Sequence, residues 1–314
     1  MAVTLVEAAK LSTTQLQRGV IETFVQESPV LDRIPFMTIE GNAYAYDEEA
    51  TLPGVAFRAV NEAYTESTGT VNQKSESLVI LGGDADVDKF IQRTRSNLND
   101  QRAVQTRLKV KANAYKFQDA FFNGDVTVEP KGFDGLKKRL VGAQVIDAAT
   151  NGMGPVAGGH DFFDALDALI ARVPGLNGSN GALYANASAI AKVKSSARRL
   201  GGVEMIREAL TQKMIATYNG IPLLDPGQTA AGADILPATE TQGSATTASS
   251  IYAVKFGQDE GDKGVTGLTN GGVQVYDLGE LQEKPAYRTR IEFYTGLAVF
   301  SGKAAARLRG VLAS

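Results

Sequence analysis

A glycine-rich stretch is the first candidate for chemistry in this sequence. The residues Gly152-Met153-Gly154-Pro155-Val156-Ala157-Gly158-Gly159 precede a predicted helix, and glycine loops before helices can bind phosphate through their backbone amides. No Lys-Ser or Lys-Thr pair follows, and Pro155 lacks one of the amides that a phosphate would need. A flexible loop is therefore favoured, and a nucleotide-binding enzyme that uses Gly152–Gly159 remains as the alternative from another functional class.

The histidine and cysteine content limits catalytic and metal chemistry. The chain has one histidine, His160, and no cysteine, which excludes disulfides, thiolate catalysis and cysteine-ligated zinc. One histidine gives neither a histidine-rich metal site nor, without a suitably placed serine, a catalytic triad. We expect His160 at the start of a helix, and we predict a protein that is not an enzyme, with no catalytic residue, no cofactor and no metal site.

Two acidic groups could in principle bind cations. Asp84, Asp86 and Asp88 alternate but lack the calcium-loop pattern. We interpret them as acids at a helix N-terminus, where Asp84 or Asp86 caps the helix and complements its dipole. The segment Asp259–Asp262 is interpreted as an acidic loop, with a calcium site as its alternative.

The composition indicates a folded protein with a sizeable core. The chain has 314 residues, 43% of them hydrophobic and 21% charged, with a net charge of -3. This charge argues against a dedicated nucleic-acid binder. The first ten residues lack the pattern of a signal peptide, and no run approaches the roughly 18 apolar residues of a membrane span, so we expect no membrane partner.

The sequence of the first part of the chain predicts extended elements that are too thin to have a hydrophobic core of their own. Leu16, Val20 and Phe24 share one helical face, and Pro29 and Pro35 then force extension. Residues 43–83 alternate as two strands around a turn at 67–69, with a polar and acidic middle. Because a two-stranded element is not stable alone, we expect it to lie on another subunit.

A long helix is predicted from Asp84 to Asn123, because this stretch contains neither glycine nor proline. At ~1.5 Å per residue it would be roughly 50 Å long. Its apolar stripe comprises Val87, Phe90, Ile91, Leu98, Val104, Leu108, Ala112 and Tyr115. Its basic residues include Arg93, Arg95 and Arg102, and they are interpreted as a solvated face with inter-subunit ion pairs rather than a DNA-facing stripe.

The remaining chain alternates between helices and strands. We predict helices over 161–173 and 187–200, strands over 181–185, 251–256, 273–276 and 287–299, and a hairpin over 215–224 around Asn219-Gly220. Residues 227–250 are predicted as an exposed loop and 304–308 as a helical turn. The fold class is therefore α+β.

The order of these pieces resembles the major capsid proteins of tailed bacteriophages with the HK97-like fold. In that family, as predicted here, a long two-stranded projection is followed along the chain by a long helix. The segments that carry the rest of the resemblance are Phe121-Phe122-Asn123-Gly124-Asp125, Lys131-Gly132-Phe133-Asp134-Gly135-Leu136, Leu183 to Lys192, Gly220-Ile221-Pro222-Leu223-Leu224 and Arg288-Thr289-Arg290-Ile291-Glu292-Phe293-Tyr294. Each motif is weak alone, and the order of all of them carries the resemblance.

The resemblance implies a domain organisation for the whole chain. It gives an N-terminal arm (1–42), an E-loop hairpin (43–83), a spine helix with the first part of a peripheral domain (84–136), an axial domain (137–276) and a peripheral return segment (277–314). The expected function is a major capsid protein that self-assembles as hexamers and pentamers into an icosahedral shell around double-stranded DNA. An encapsulin-like nanocompartment shell is the alternative.

The resemblance also implies partners and contacts. The expected partners are further copies of the chain, a separate scaffolding protein, a portal protein and a decoration protein, and the DNA is enclosed without sequence-specific binding. We expect assembly in the host cytoplasm and residence in the virion capsid. The residues predicted to contact other subunits are Glu48, Glu49, Arg58, Glu62, Glu66, Lys74, Arg93, Arg95 and Arg102. Some relatives link an E-loop lysine covalently to a neighbour, but Lys74 lies within a predicted strand, so we expect non-covalent shells.

Overall fold

A computed structural model of the chain describes residues 28–95, 101–154, 160–199, 204–207 and 214–312. The helices are α1 Lys89–Arg95, α2 Gln101–Asn123, α3 Leu136–Arg139, α4 His160–Ala171 and α5 Ala187–Arg199. The strands are β1 Phe36–Thr38, β2 Ala43–Thr51, β3 Thr70–Ser77, β4 Val79–Asp88, β5 Val145–Asp147, β6 Gly181–Tyr184, β7 Glu204–Arg207, β8 Met214–Tyr218, β9 Ile221–Leu224, β10 Glu240–Gln242, β11 Ala245–Lys255, β12 Val265–Glu280, β13 Ala286–Val299 and β14 Ala305–Leu312. The expected helix with Leu16, Val20 and Phe24 lies outside the described residues.

Three sheets organise these strands. The first sheet has the order β1-β12-β13-β4, with β1 parallel to β12 and the other pairs antiparallel. The second has the order β5-β14-β11-β6-β9-β8-β7, with β10 added beside β11. The third consists of β2 and β3 alone. The chain passes from the first sheet to the second between β13 and β14, through residues 300–304.

Helix α2 packs against both large sheets. Phe117 lies with its ring centroid 6.0 Å from that of Phe293 in β13, in the first sheet. One turn later, Phe122 lies 5.4 Å from Tyr184 in β6 and 5.3 Å from Tyr252 in β11, in the second sheet. All five rings are buried. A single apolar cluster therefore joins the two sheets through this helix.

A second apolar cluster covers the other face of the second sheet. Helix α4 buries Phe162, Leu166 and Leu169, which recur at helical spacing and face the sheet. Helix α5 contributes Ala189 and Val193 to the same cluster. The second sheet is thus buried on both faces, as its apolar strand β6 requires.

Several predicted elements are confirmed. The helices expected over 161–173 and 187–200 are α4 and α5, and the strand expected over 181–185 is β6. The hairpin around Asn219-Gly220 is formed by β8 and β9, and both turn residues have positive φ angles of 50° and 74°. This geometry is typical of an Asn-Gly turn between antiparallel strands.

The helix predicted from Asp84 was wrong at its start. Residues 84–88 belong to β4, and helical structure begins at Lys89. Leu81, Ala85 and Val87 alternate towards the core while Asp84 and Asp86 face outwards, so the period is that of a strand. The expected cap by Asp84 or Asp86 was wrong for the same reason. Asp88 accepts the hydrogen bond of the Phe90 amide at 2.7 Å instead.

Two predictions for the second half were also wrong. Residues 227–250, expected to be a loop, contain β10 and the first part of β11. Residues 304–308, expected to be helical, include the start of β14, which pairs antiparallel with β11 through Ala253 and Ala306. The alanine-rich sequence favours a helix locally, but burial of this segment between strands overrides that preference.

Candidate assembly surfaces

The projecting hairpin, defined here as residues 43–77, is the most exposed part of the described fold. Strands β2 and β3 pair from Ala43 with Ser77 to Thr51 with Thr70, and every residue from 51 to 69 is exposed. The apolar side chains Leu52, Val55, Phe57, Val60 and Tyr64 are all exposed in this segment, and Phe57 is fully exposed. A concentration of exposed apolar side chains of this kind is typical of a protein interaction surface.

The root of the hairpin is fixed to the rest of the chain. Tyr46 is buried, its ring lies edge-on to Phe300 at 5.0 Å, and its hydroxyl donates to the Val299 carbonyl at 3.1 Å. Burial raises the pKa of Tyr46 to about 12. Arg139 of α3 binds both carboxylate oxygens of Glu76 in β3, and both side chains are only 17% exposed. The hairpin therefore leaves the subunit from a packed base.

Two further contacts surround this base. Glu48 accepts a hydrogen bond from the Gly302 amide at 2.7 Å and pairs with Lys74 Nζ at 2.6 Å. Tyr44 donates its hydroxyl to Glu260 at 2.6 Å, and that hydrogen bond raises the pKa of Tyr44 to about 12. A cleft of about 480 Å³ beside these contacts is lined by Lys255, Lys263 and Lys303, among other residues.

The exposed end of the hairpin has local contacts of its own. Arg58 lies over the ring of Tyr64 at 5.2 Å and donates to the Glu62 carbonyl oxygen at 3.3 Å. The Glu62 carboxylate accepts from the Ala59 amide at 2.9 Å. Ser67 donates its hydroxyl to the Gly54 carbonyl at 2.9 Å, across the two limbs. These bonds shape the tip without burying it.

A ladder of ion pairs covers the outer face of the first sheet. Arg290 of β13 binds Asp84 of β4 at 2.8 Å, and Arg288 binds Asp86 at 2.7 Å. Lys284 binds Asp86 at 2.5 Å. The hydrogen bond from Arg290 lowers the pKa of Asp84, and those from Arg288 and Lys284 hold the pKa of Asp86 well below its usual range. Asp84 and Asp86 therefore stabilise strand pairing, whereas Asp88 accepts a backbone amide at the start of α1.

The predicted inter-subunit residues lie in different settings. Glu48 and Lys74 pair with each other, and Arg58 contacts the backbone of Glu62. Arg102 pairs with Asp277 at 2.6 Å and lies 5.2 Å from the ring of Tyr287. Glu66 and Arg93 are exposed, while the side chains of Glu49 and Arg95 are outside the described set.

Other candidate residues were missed by the sequence analysis. The exposed tip residues Val55 and Phe57 were not among the predicted contacts, although their position in a projecting element could have indicated an interface. Arg288 and Arg290 were noted only as a basic strand. Their spacing of two residues, matched by Asp84 and Asp86, was the signal for a cross-strand ladder.

The candidate catalytic and metal features do not form a site within the described residues. Residues 155–159 of the glycine-rich stretch lie outside them, and Met153 forms a strand-like bridge with Val311. His160 is the exposed first residue of α4, as expected. Asp259 accepts from the amides of Gly261 and Asp262 and so caps its own turn. In the described ranges no group of three or more His, Asp or Glu side chains is placed to hold a metal ion.

The helices of the described ranges are too short or too polar to cross a membrane.

One segment in the first half of the chain matches a family model. Residues 13–156 match the family model described as Major capsid protein GP7. No protein among the curated sequences matches at a significant level.

Several solved structures have a similar fold, among them capsid and encapsulin proteins. The SrpI encapsulin from Synechococcus elongatus PCC 7942, in its holo complex, is 20% identical to this chain with a TM-score of 0.65. The alignment covers 100% of this chain and 98% of the encapsulin chain. The capsid of a native GTA particle is 14% identical with a TM-score of 0.63, and the alignment covers 91% of this chain and 90% of the GTA chain. A structure from Mycobacterium phage Ogopogo is 14% identical with a TM-score of 0.57, covering 91% of each chain.

These similarities establish the fold. The predicted resemblance to phage major capsid proteins of the HK97-like, α+β fold is confirmed by the family match and by the capsid structures.

Proposed function

We propose that this chain, which has the HK97-like capsid fold, is the major capsid protein of a tailed phage and assembles as hexamers and pentamers into an icosahedral shell around double-stranded DNA. The observation that carries the proposal is the projecting hairpin, whose apolar tip is exposed although its root is buried. Such a tip gains its hydrophobic stabilisation only when another subunit covers it. The chain therefore works as one of many interlocking copies rather than alone.

The proposed division of labour follows the predicted segments. Residues 1–42 are the N-terminal arm and 43–83 the E-loop, residues 84–136 and 277–314 supply the peripheral domain, and 137–276 supply the axial domain. The exposed residues Glu62, Glu66 and Arg93 are proposed as inter-subunit contacts. Glu48, Lys74 and Arg102, which are already paired within the chain, would position the hairpin and spine for such contacts.

The proposed partners complete a phage particle. A separate scaffolding protein guides assembly in the host cytoplasm, a portal protein occupies one vertex, and a decoration protein reinforces the shell. The net charge of -3 supports a container that encloses DNA without gripping it.

An encapsulin-like nanocompartment is the second candidate. The similarity to an encapsulin over the full length of this chain favours it. This candidate shares the shell and the hairpin contacts but encloses protein cargo instead of a genome.

The test is to express the chain together with its genomic neighbours and to image the purified particles by electron microscopy. Closed icosahedral shells, with terminase and portal genes beside this one, are the expected result. Shells that enclose a co-encoded enzyme would support the nanocompartment instead. A protein that remains monomeric under all assembly conditions would contradict both shell functions.

A further inference from the structure

One side of helix α2 carries an apolar stripe that the described residues of the chain leave partly exposed. Val104 and Leu108 are 41% and 54% exposed. Lys111 and Tyr115 continue the same side of the helix, with Lys111 Nζ 5.4 Å from the Tyr115 ring centroid. These four positions have the spacing i, i+4, i+7 and i+11, which places them in one row over about three helical turns.

This stripe is distinct from the face of α2 that forms the core. Val110, Ala114, Phe117 and Phe121 are buried against the sheets. At 100° per residue these four centre on one direction and the stripe on a direction about 120° away from it. A surface helix normally presents polar residues on its solvent side, so exposed Val104 and Leu108 need another explanation.

The charge on this helix is one-sided. From Gln101 to Gln118 the sequence contains Arg102, Arg107, Lys109, Lys111 and Lys116 and no acidic residue. Asp277 pairs with Arg102 and Glu129 pairs with Lys116. Arg107 is exposed beside Leu108 and forms no ion pair within the described part of the chain. Within this stretch the helix itself therefore contributes only positive charges.

We propose that this stripe, formed by Val104, Leu108, Lys111 and Tyr115, docks an acidic amphipathic helix of a separate protein. Apolar side chains of that helix would cover Val104 and Leu108, and its flanking carboxylates would meet Arg107. Two copies of α2 would not pair along this row, because each brings only positive charge. Nucleic acid is disfavoured because phosphates gain nothing from Val104 and Leu108. This inference does not depend on shell closure.

The test uses the full-length chain as dissociated subunits and two fluorescein-labelled synthetic peptides. Each peptide has leucine at i, i+4, i+7 and i+11, and one carries glutamate where the other carries lysine on the flanks. Fluorescence anisotropy should show the glutamate peptide binding at least about tenfold more tightly. Leu108→Glu should weaken that binding by about tenfold or more, and Arg107→Glu should shift the preference towards the lysine peptide. Val128→Glu, at an exposed apolar position outside the stripe, should change nothing.

Three results would overturn the proposal. The first is equal affinity for both peptides, or binding that Leu108→Glu leaves unchanged. The second is displacement of the glutamate peptide by duplex DNA with a loss in Arg107→Gln but not in Leu108→Glu, which would assign the face to nucleic acid. The third is sedimentation showing subunits that pair through this face. Circular dichroism checks each variant for folding, and Leu108→Ser replaces Leu108→Glu if the latter unfolds.

Discussion

Arg139 and Glu76 form a two-point ion pair that ties the projecting hairpin to helix α3, with Arg139 Nη2 2.7 Å from Glu76 Oε2. Both side chains are largely buried beside Tyr46, and Arg139 also donates to the Asp134 carbonyl oxygen at 2.6 Å. The pair therefore fixes the direction of the hairpin relative to residues 124–139, which follow α2.

Replacing Arg139 by methionine should leave the Glu76 carboxylate without its partner in a largely buried place. We expect the free energy of unfolding to fall by roughly 2 kcal/mol, somewhat less than for a fully buried pair. Urea denaturation of the subunit measures this change. Lys116→Met is the matched control, because its pair with Glu129 is exposed and should contribute under about 1 kcal/mol. Equal losses in the two variants would contradict the assigned role of Arg139.

Removing the tip of the hairpin should separate folding from assembly. Replacing residues 52–69 by Asn-Gly removes only exposed residues and closes β2 onto β3 with a favourable turn. The subunit should keep its thermal unfolding midpoint but fail to form closed shells in electron micrographs. Normal shells from this variant would show that the tip makes no necessary contact.

Burial should decide the effect of losing a phenylalanine ring. Phe122→Ala opens a cavity where α2 meets the second sheet and should reduce the free energy of unfolding by about 3 to 5 kcal/mol. Phe57→Ala should change it by less than about 0.5 kcal/mol, because Phe57 is fully exposed. Chemical denaturation compares the two, and similar losses would refute the described packing.

Acid should weaken the ladder on the first sheet. The folded-state pKa values of Asp84 and Asp86 lie below their usual range because of Arg290, Arg288 and Lys284. A depressed folded pKa contributes stability that is present above about pH 4 and is lost as the pH falls towards the folded value. Asp86→Asn should therefore flatten the dependence of the unfolding midpoint on pH below about 4. Glu66→Gln, at an exposed position on the tip, should leave that dependence as in the unmodified chain.

Shells of this protein should be held without covalent links. Lys74 Nζ is paired with Glu48 of its own hairpin, and this contact holds the amine within its own subunit. Denaturing electrophoresis of mature particles should give one band of subunit size. A ladder of linked species that disappears in Lys74→Ala would contradict this expectation.

Patterns confined to one element were predictable from the sequence. Helix α4 follows from the spacing of Phe162, Leu166 and Leu169, and the β8–β9 turn follows from Asn219-Gly220. The pairing of the hairpin between residues 43 and 77 follows from its alternation, but the turn predicted at 67–69 was wrong, because the chain reverses at residues 60–61. In each case the local preference agrees with the tertiary environment.

Features decided by distant strands were not predictable. Asp84 and Asp86 belong to a strand because β13, some two hundred residues away in sequence, supplies Arg288 and Arg290 opposite them. Residues 305–312 form a strand because β11 is available as a partner. The candidate interaction residues were incomplete for a related reason. Exposure of Phe57 or Leu108 depends on which face the fold covers, and periodicity alone does not specify it.

Helix α2 and residues 300–304 are among the segments that connect the two large sheets. A tensile load applied across a thin protein wall would pull these sheets apart. Phe117 and Phe122 of α2 contact one sheet each through buried aromatic rings. Helix α2 would therefore share such a load with the packing of these rings. A wall built from such subunits would resist internal pressure through its core, and not only through the contacts between its copies.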